Sequence, residues 1–298
     1  MNVKLKAISV LAGLPAVRGK MFDMIFSRDS GLPFEPMPEN GMTARMREER
    51  EAGEALLKTL PEEHILLRNS RGDRIHARIF LNGGITDRFV ILCHGYRSRG
   101  LPEFTGLLPQ YMNQPVSLLV IDHQAAGESE GSLITFGWQE HIDLLQWVRY
   151  LAGRFGPETR VLLHGISMGA ATVLLASGSP GLPPQVKRVV ADCGYTSLEA
   201  ELRHCFDFWH IPESAIPDIL ERFRRRTGIL PGEISPLEAV KRCSLPLSLI
   251  HGTEDTFVPY AMGEELHAAC PHSTLLSVKG AGHAESRQRD RAAYAHVL

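Results

Sequence analysis

The heptapeptide HGISMGA (164–170) sets Ser167 between Gly165 and Gly169, directly after the apolar run RVLL. A tight turn needs at most one glycine. Two of them, two residues either side of a serine, fit the strained G-x-S-x-G turn that lifts a serine oxygen above a sheet and aims the next amide at a reacting carbonyl. On its own the pentapeptide is equally an ordinary Gly/Ser turn between strand and helix. A serine nucleophile needs a base, and the base an orienting acid. With this turn the expected chain order is Ser, Asp, His. Asp255 follows the run LPLSLIHG (245–252), and His283 follows STLLSV (273–278) inside GAGHAES. Glu254 and Asp122 are rival acids. His164 is expected to pack below the turn, and His272 starts its strand at the far end. An oxyanion needs two backbone donors. Met168 supplies one, and Tyr96 in HGYRSRG (94–100) is the natural second.

These residues converge only if particular elements carry them. The runs FVILCHG (89–95), VSLLVID (116–122), RVLLHG (160–165), VKRVVAD (186–192), LPLSLIHG and STLLSV are continuous and apolar, as strands buried on both faces require. Helical spacing fills 138–156, 168–178, 260–269 and 283–297. This alternation predicts an α/β fold: a mostly parallel, doubly wound sheet. Ahead of it, two apolar runs flank the turn cluster NSRGD and predict an antiparallel edge hairpin. Asp255, His283 and Ser167 then fall in loops at one end of the sheet. No strand signal appears between Asp192 and Leu245. SLEAELRHCFDFW and SAIPDILERFRRRTG read as two helices, a small cap inserted at about 197–236. Its Phe206, Phe208 and Trp209 are candidates for an apolar pocket, or simply seat the cap. The cluster ERFRRRTG reads as a solvated helix face, with an anionic leaving group as the sharper alternative.

With 298 residues, 44% apolar, the chain can bury one large core, and its net charge of −2 gives no basic surface for nucleic acid. Five cysteines, an odd number with no C-x-x-C pair, predict neither a disulfide framework nor a zinc site. They point to a reducing compartment, hence the cytoplasm. Residues 1–61 read as an arm: a short apolar run, a proline-rich linker over 31–41 and a charged helix over 42–60. The run is interrupted by Gly13 and Pro15 and falls short of a membrane span. A peripheral membrane contact through it stays open.

Taken together, HGYRSRG, DHQAAGESEG (122–131), HGISMGA, HGTEDTFVP (251–259) and GAGH (280–283) resemble the serine α/β-hydrolases of the esterase/lipase kind over residues 62–298, and within them the small-capped bacterial hydrolases. The chain departs from the family at Ala126-Gly127-Glu128, where G-x-G is usual. The resemblance implies two-step acyl transfer: Ser167 attacks a small acyl substrate, His283 takes its proton, Asp255 orients His283, and the Tyr96 and Met168 amides bind the oxyanion. It requires neither metal nor organic cofactor. Thioesters, amides or acyl transfer would use the same groups, and a silent binding protein of the same fold is the non-enzyme alternative.

Overall fold

The computed structural model describes residues 15–29 and 41–298. The apolar run before residue 15, and all but the last residue of the expected linker, lie outside them. The longer elements are α1 (Pro15–Phe26), α2 (Gly41–Leu57), β1 (Glu63–Arg68), β2 (Arg74–Phe80), β3 (Arg88–Cys93), β4 (Ser117–Asp122), α3 (Trp138–Phe155), β5 (Arg160–Ile166), α4 (Met168–Ser177), β6 (Val186–Asp192), α5 (Leu198–Phe208), α6 (Ile216–Thr227), β7 (Leu247–Gly252), α7 (Tyr260–Ala269), β8 (Thr274–Val278) and α8 (Arg291–Val297).

The eight strands form one sheet in the order β1-β2-β4-β3-β5-β6-β7-β8. β1 and β2 are the antiparallel edge hairpin, β2 meets β4 antiparallel, and every later pairing is parallel. The continuous apolar runs have their physical reason here: β4 and β7 are buried at every residue because both sheet faces are covered. Trp147, Val148 and Leu151 of α3 pack on one face. Phe104, Tyr111 and Tyr294 pack on the other. From β3 the chain crosses first to β4 on one side, then to β5 on the other. The crossovers diverge there, which opens a crevice at the carboxyl ends of β3 and β5.

A third apolar cluster lies above that crevice. The cap helices bring Leu202, Phe206, Ile219 and Phe223 to it, and α1 brings Met21, Phe22 and Phe26. The Phe26 ring sits 4.8 Å from Phe223 and 5.3 Å from Phe136, so the apolar side of α1 is spent on the protein's own cap. Among the described residues no helix is long and apolar enough to cross a membrane. All five cysteines are buried and free.

One expected helix differs. The segment 283–297 breaks into Ser286–Arg289 and α8, because Asp290 leaves helical geometry (φ −138°, ψ 83°) and its carboxylate caps the Ala293 amide at 2.9 Å. His283 consequently stays in the loop after β8.

Candidate active site

Ser167 caps the N-terminus of α4 at φ 58°, ψ −119°, a region non-glycine residues avoid. Its amide donates to Asp192 O at 2.8 Å, which ties the strained turn to the end of β6. The two glycines have separate tasks. A Cβ at Gly165 would meet Gly169 O at 2.0 Å, inside the turn itself. A Cβ at Gly169 would meet Cys93 O at 1.9 Å, so this glycine lets α4 press against the end of β3. Chain crowding therefore requires both.

The structure brings Ser167, His283 and Asp255 together. His283 Nε2 lies 2.9 Å from Ser167 Oγ, and His283 Nδ1 lies 2.8 Å from Asp255 Oδ2. Asp255 has no exposed side-chain surface, and its Oδ1 accepts from the Phe257 and Val258 amides, each at 2.9 Å. Burial alone would raise its pKa. Hydrogen bonding from His251 and His283, together with the Val258 amide, outweighs burial and holds the carboxyl well below the ordinary range. His251, four residues before Asp255, sits 3.5 Å from Oδ2 while its Nε2 donates to Val258 O at 2.9 Å. Sequence reasoning missed this brace; the only signal was a histidine ending a buried strand.

The rival acids are elsewhere. The Glu254 side chain is exposed. Asp122 accepts from His76, from the Gly100 amide and from the Glu128 amide, fastening loops on the far side of β3. Gly127 belongs to that arrangement, since a Cβ there would strike the Asp122 carboxyl. His164 lies below the turn as expected, between the Tyr111 and Tyr294 hydroxyls at 2.8 and 3.1 Å. The His272 ring nitrogens face Cys270 Sγ, away from Ser167.

Gly95 carries the second donor loop to the serine: a Cβ there would lie 3.3 Å from Ser167 Cβ. Among the described residues neither the Tyr96 nor the Met168 amide has a protein acceptor. The same loop anchors α1. Arg97 donates to Met24 O and Ser27 O at 2.8 Å and to Arg28 O at 3.1 Å, covering the orphan carbonyls at that helix end. The Tyr96 hydroxyl donates to Ile25 O at 2.7 Å.

Two spaces meet at Ser167. One, of about 520 Å³, runs under the cap between Tyr96, Phe136, Tyr195, Phe206, Trp209 and Phe257. The other, about 1000 Å³ and more open, passes His283, Glu103 and Glu285. Phe206 and Trp209, three residues apart, share the pocket side of α5. Phe208 does not line it: the helical period turns Phe208 outward, 54% exposed. The basic cluster is remote as well. Arg224 and Arg225 pair with Glu221, Arg222 with Asp218, and Arg226 stacks on Phe22.

Among the described residues Glu201 is the one carboxyl lining the inner pocket, 3% exposed, and its Oε2 has no partner there. Burial pushes it up to about 8, against the lowering hydrogen bond from the Cys205 thiol. Between the unfolded value near 4.3 and about 8, the folded chain keeps a proton that the unfolded chain releases, so stability falls as pH rises through this window. Glu201→Leu should therefore flatten that fall and stabilise the protein by about 1–3 kcal/mol at the alkaline end. Urea unfolding across the window checks this; an unchanged slope would show that the carboxyl is not the cause.

This sheet, with its strained serine turn and covering cap, has the α/β-hydrolase fold. Residues 232–298 match the family model described as TAP-like protein. The uncharacterized protein YqkD of Bacillus subtilis is 26% identical over 212 residues, 70% of this chain and 69% of the relative. The uncharacterized hydrolase YugF of the same organism is 36% identical over 66 residues, 22% of this chain and 24% of the relative. The esterase Pf2001 of Pyrococcus furiosus superposes with a TM-score of 0.65 at 21% identity, covering 80% of this chain and 89% of that one.

Proposed function

We propose that the protein is a serine hydrolase that cleaves carboxylic esters through an acyl-enzyme. The observation that carries this reading is the pair of contacts at His283, one to Ser167 Oγ and one to Asp255 Oδ2. Asp255 accepts from Nδ1–H and so leaves the Nε2 lone pair facing the serine, the tautomer a general base needs. Ser167 attacks the acyl carbonyl and passes its proton to His283. The Tyr96 and Met168 amides stabilise the oxyanion. His283 then protonates the departing alcohol, and afterwards activates the water that releases the acid.

The two spaces divide the substrate. His283 must reach the leaving oxygen, and it borders the open groove but not the inner pocket. The alcohol therefore leaves through the groove, and the acyl chain enters the aromatic pocket. Among the described residues no lysine or arginine lines either space. This disfavours anionic groups, including the thioester carriers that the remote basic cluster might have served. The similarity to esterase Pf2001 agrees with an ester substrate.

A fluorophosphonate probe and a panel of p-nitrophenyl esters test the reading. Covalent labelling of the wild type and turnover of uncharged acyl esters are expected. A folded protein that neither labels nor turns over any ester, thioester or amide would be a binding protein instead.

A further inference from the structure

Along the antiparallel edge of the sheet, two strands and a loop bring together a second group of donors. His64 of β1, His76 of β2 and Glu128 of the loop after β4 offer ligand atoms all within 4.8 Å of one another. His64 Nδ1 faces His76 Nε2 at 3.0 Å, and Glu128 Oε2 lies 3.9 Å from each. Donors on a tetrahedral zinc ion, with bonds near 2.0–2.1 Å, stand about 3.3 Å apart. The observed spacings bracket that value.

The outward partners make the arrangement specific. His76 Nδ1 lies 2.9 Å from Asp122 Oδ2, and His64 Nε2 lies 2.8 Å from Glu62 Oε1. A carboxylate only accepts, so each ring directs its N–H outward. In the neutral rings, both inward nitrogens then present lone pairs to each other across 3.0 Å. Two lone pairs at that distance repel unless a cation lies between them. This is the carboxylate–histidine–metal pattern, in which second partners fix the tautomer and aim the free nitrogen. Arg78 holds the other oxygen of Glu128 and turns Oε2 toward the rings. Glu62, Asp122 and Glu128 against Arg78 leave two negative charges, which a divalent cation balances.

We propose that His64, His76 and Glu128 bind a structural zinc ion, with water as the fourth ligand, apart from the reaction site. The half-exposed positions of His64 and Glu128 leave that ligand position open to solvent. The cysteines gave no sign of such a site, because its donors are nitrogen and oxygen. The ion would pin the edge hairpin to the loop 122–131. Arg28, just after α1, also binds that loop, through Gly127 O and Ser129 O. The site thus braces the platform on which α1 and the inner pocket rest.

The test uses the full-length protein, stripped by chelation and titrated with zinc against a chromophoric competitor. Wild type should bind one ion per chain at the site and gain thermal stability. His64→Ala and Glu128→Gln, both at half-exposed side chains that the fold tolerates, should weaken binding at least about tenfold and lose the thermal gain. His283→Ala serves as the control for the one other donor cluster among the described residues, Cys193, Asp255 and His283. Equal affinity in all four proteins, loss only in His283→Ala, or no binding by the wild type would overturn the proposal; the last result would assign the space between the rings to a shared proton.

Discussion

Ser167→Ala should lower kcat/KM for ester hydrolysis by roughly four to six orders of magnitude, with the fold intact. The substitution deletes only Oγ, and alanine meets the same positive φ that serine already bears. What disappears is the nucleophile and the 2.9 Å contact to His283. His283→Ala should cost a comparable factor, since an unactivated hydroxyl is a poor nucleophile at neutral pH. The double variant should be no slower than either single one, because residues acting as a unit do not contribute additively. Residual turnover would then come from the Tyr96 and Met168 amides. Stopped-flow or long-time assays with p-nitrophenyl butyrate measure all three. A Ser167→Ala enzyme within tenfold of wild type would reject the serine as nucleophile, and additive losses would reject the unit.

The three residues of that unit were visible in the sequence for a topological reason. Each follows a continuous apolar run, and parallel strands put the loops after such runs at the same end of the sheet. The runs were legible because burial on both faces removes polar alternation. The walls around the unit were not. Glu201 stands in the first turn of an amphipathic cap helix, where a carboxylate reads as solvent-facing; only tertiary packing buries it. Phe208 shows the converse error, since composition cannot say which side of α5 faces inward. α1 was hidden by Gly19 and by the breakers Gly13 and Pro15, so the contribution of Ile25 to the pocket and of Arg97 to the helix end had no local signature. His64 and His76 lie twelve residues apart on paired strands; the register sets His64 opposite Arg78 and His76 opposite Leu66, so the two rings meet only across the diagonal.

Asp255→Asn should reduce kcat by about 10⁴ while leaving KM nearly unchanged, through a tautomer rather than a lost shape. Oδ1 accepts from two backbone amides at 2.9 Å, so the asparagine carbonyl must occupy that position. Its NH₂ then faces His283 Nδ1. A donor cannot meet a donor, so the imidazole moves its proton to Nε2, the nitrogen facing Ser167, and loses the lone pair that would accept the serine proton. The same substitution should alter acid stability. The Asp255 carboxyl is held below its unfolded value, so its contribution is full above about pH 4 and disappears as pH falls through the folded value. Asparagine has no proton to bind, and the acid-side decline in stability should become shallower. The His283 ring NMR signals report the tautomer directly. A proton still on Nδ1 in a slow Asp255→Asn enzyme would mean that Asp255 acts by charge alone, and an enzyme as fast as wild type would mean that Asp255 does not set the tautomer of His283.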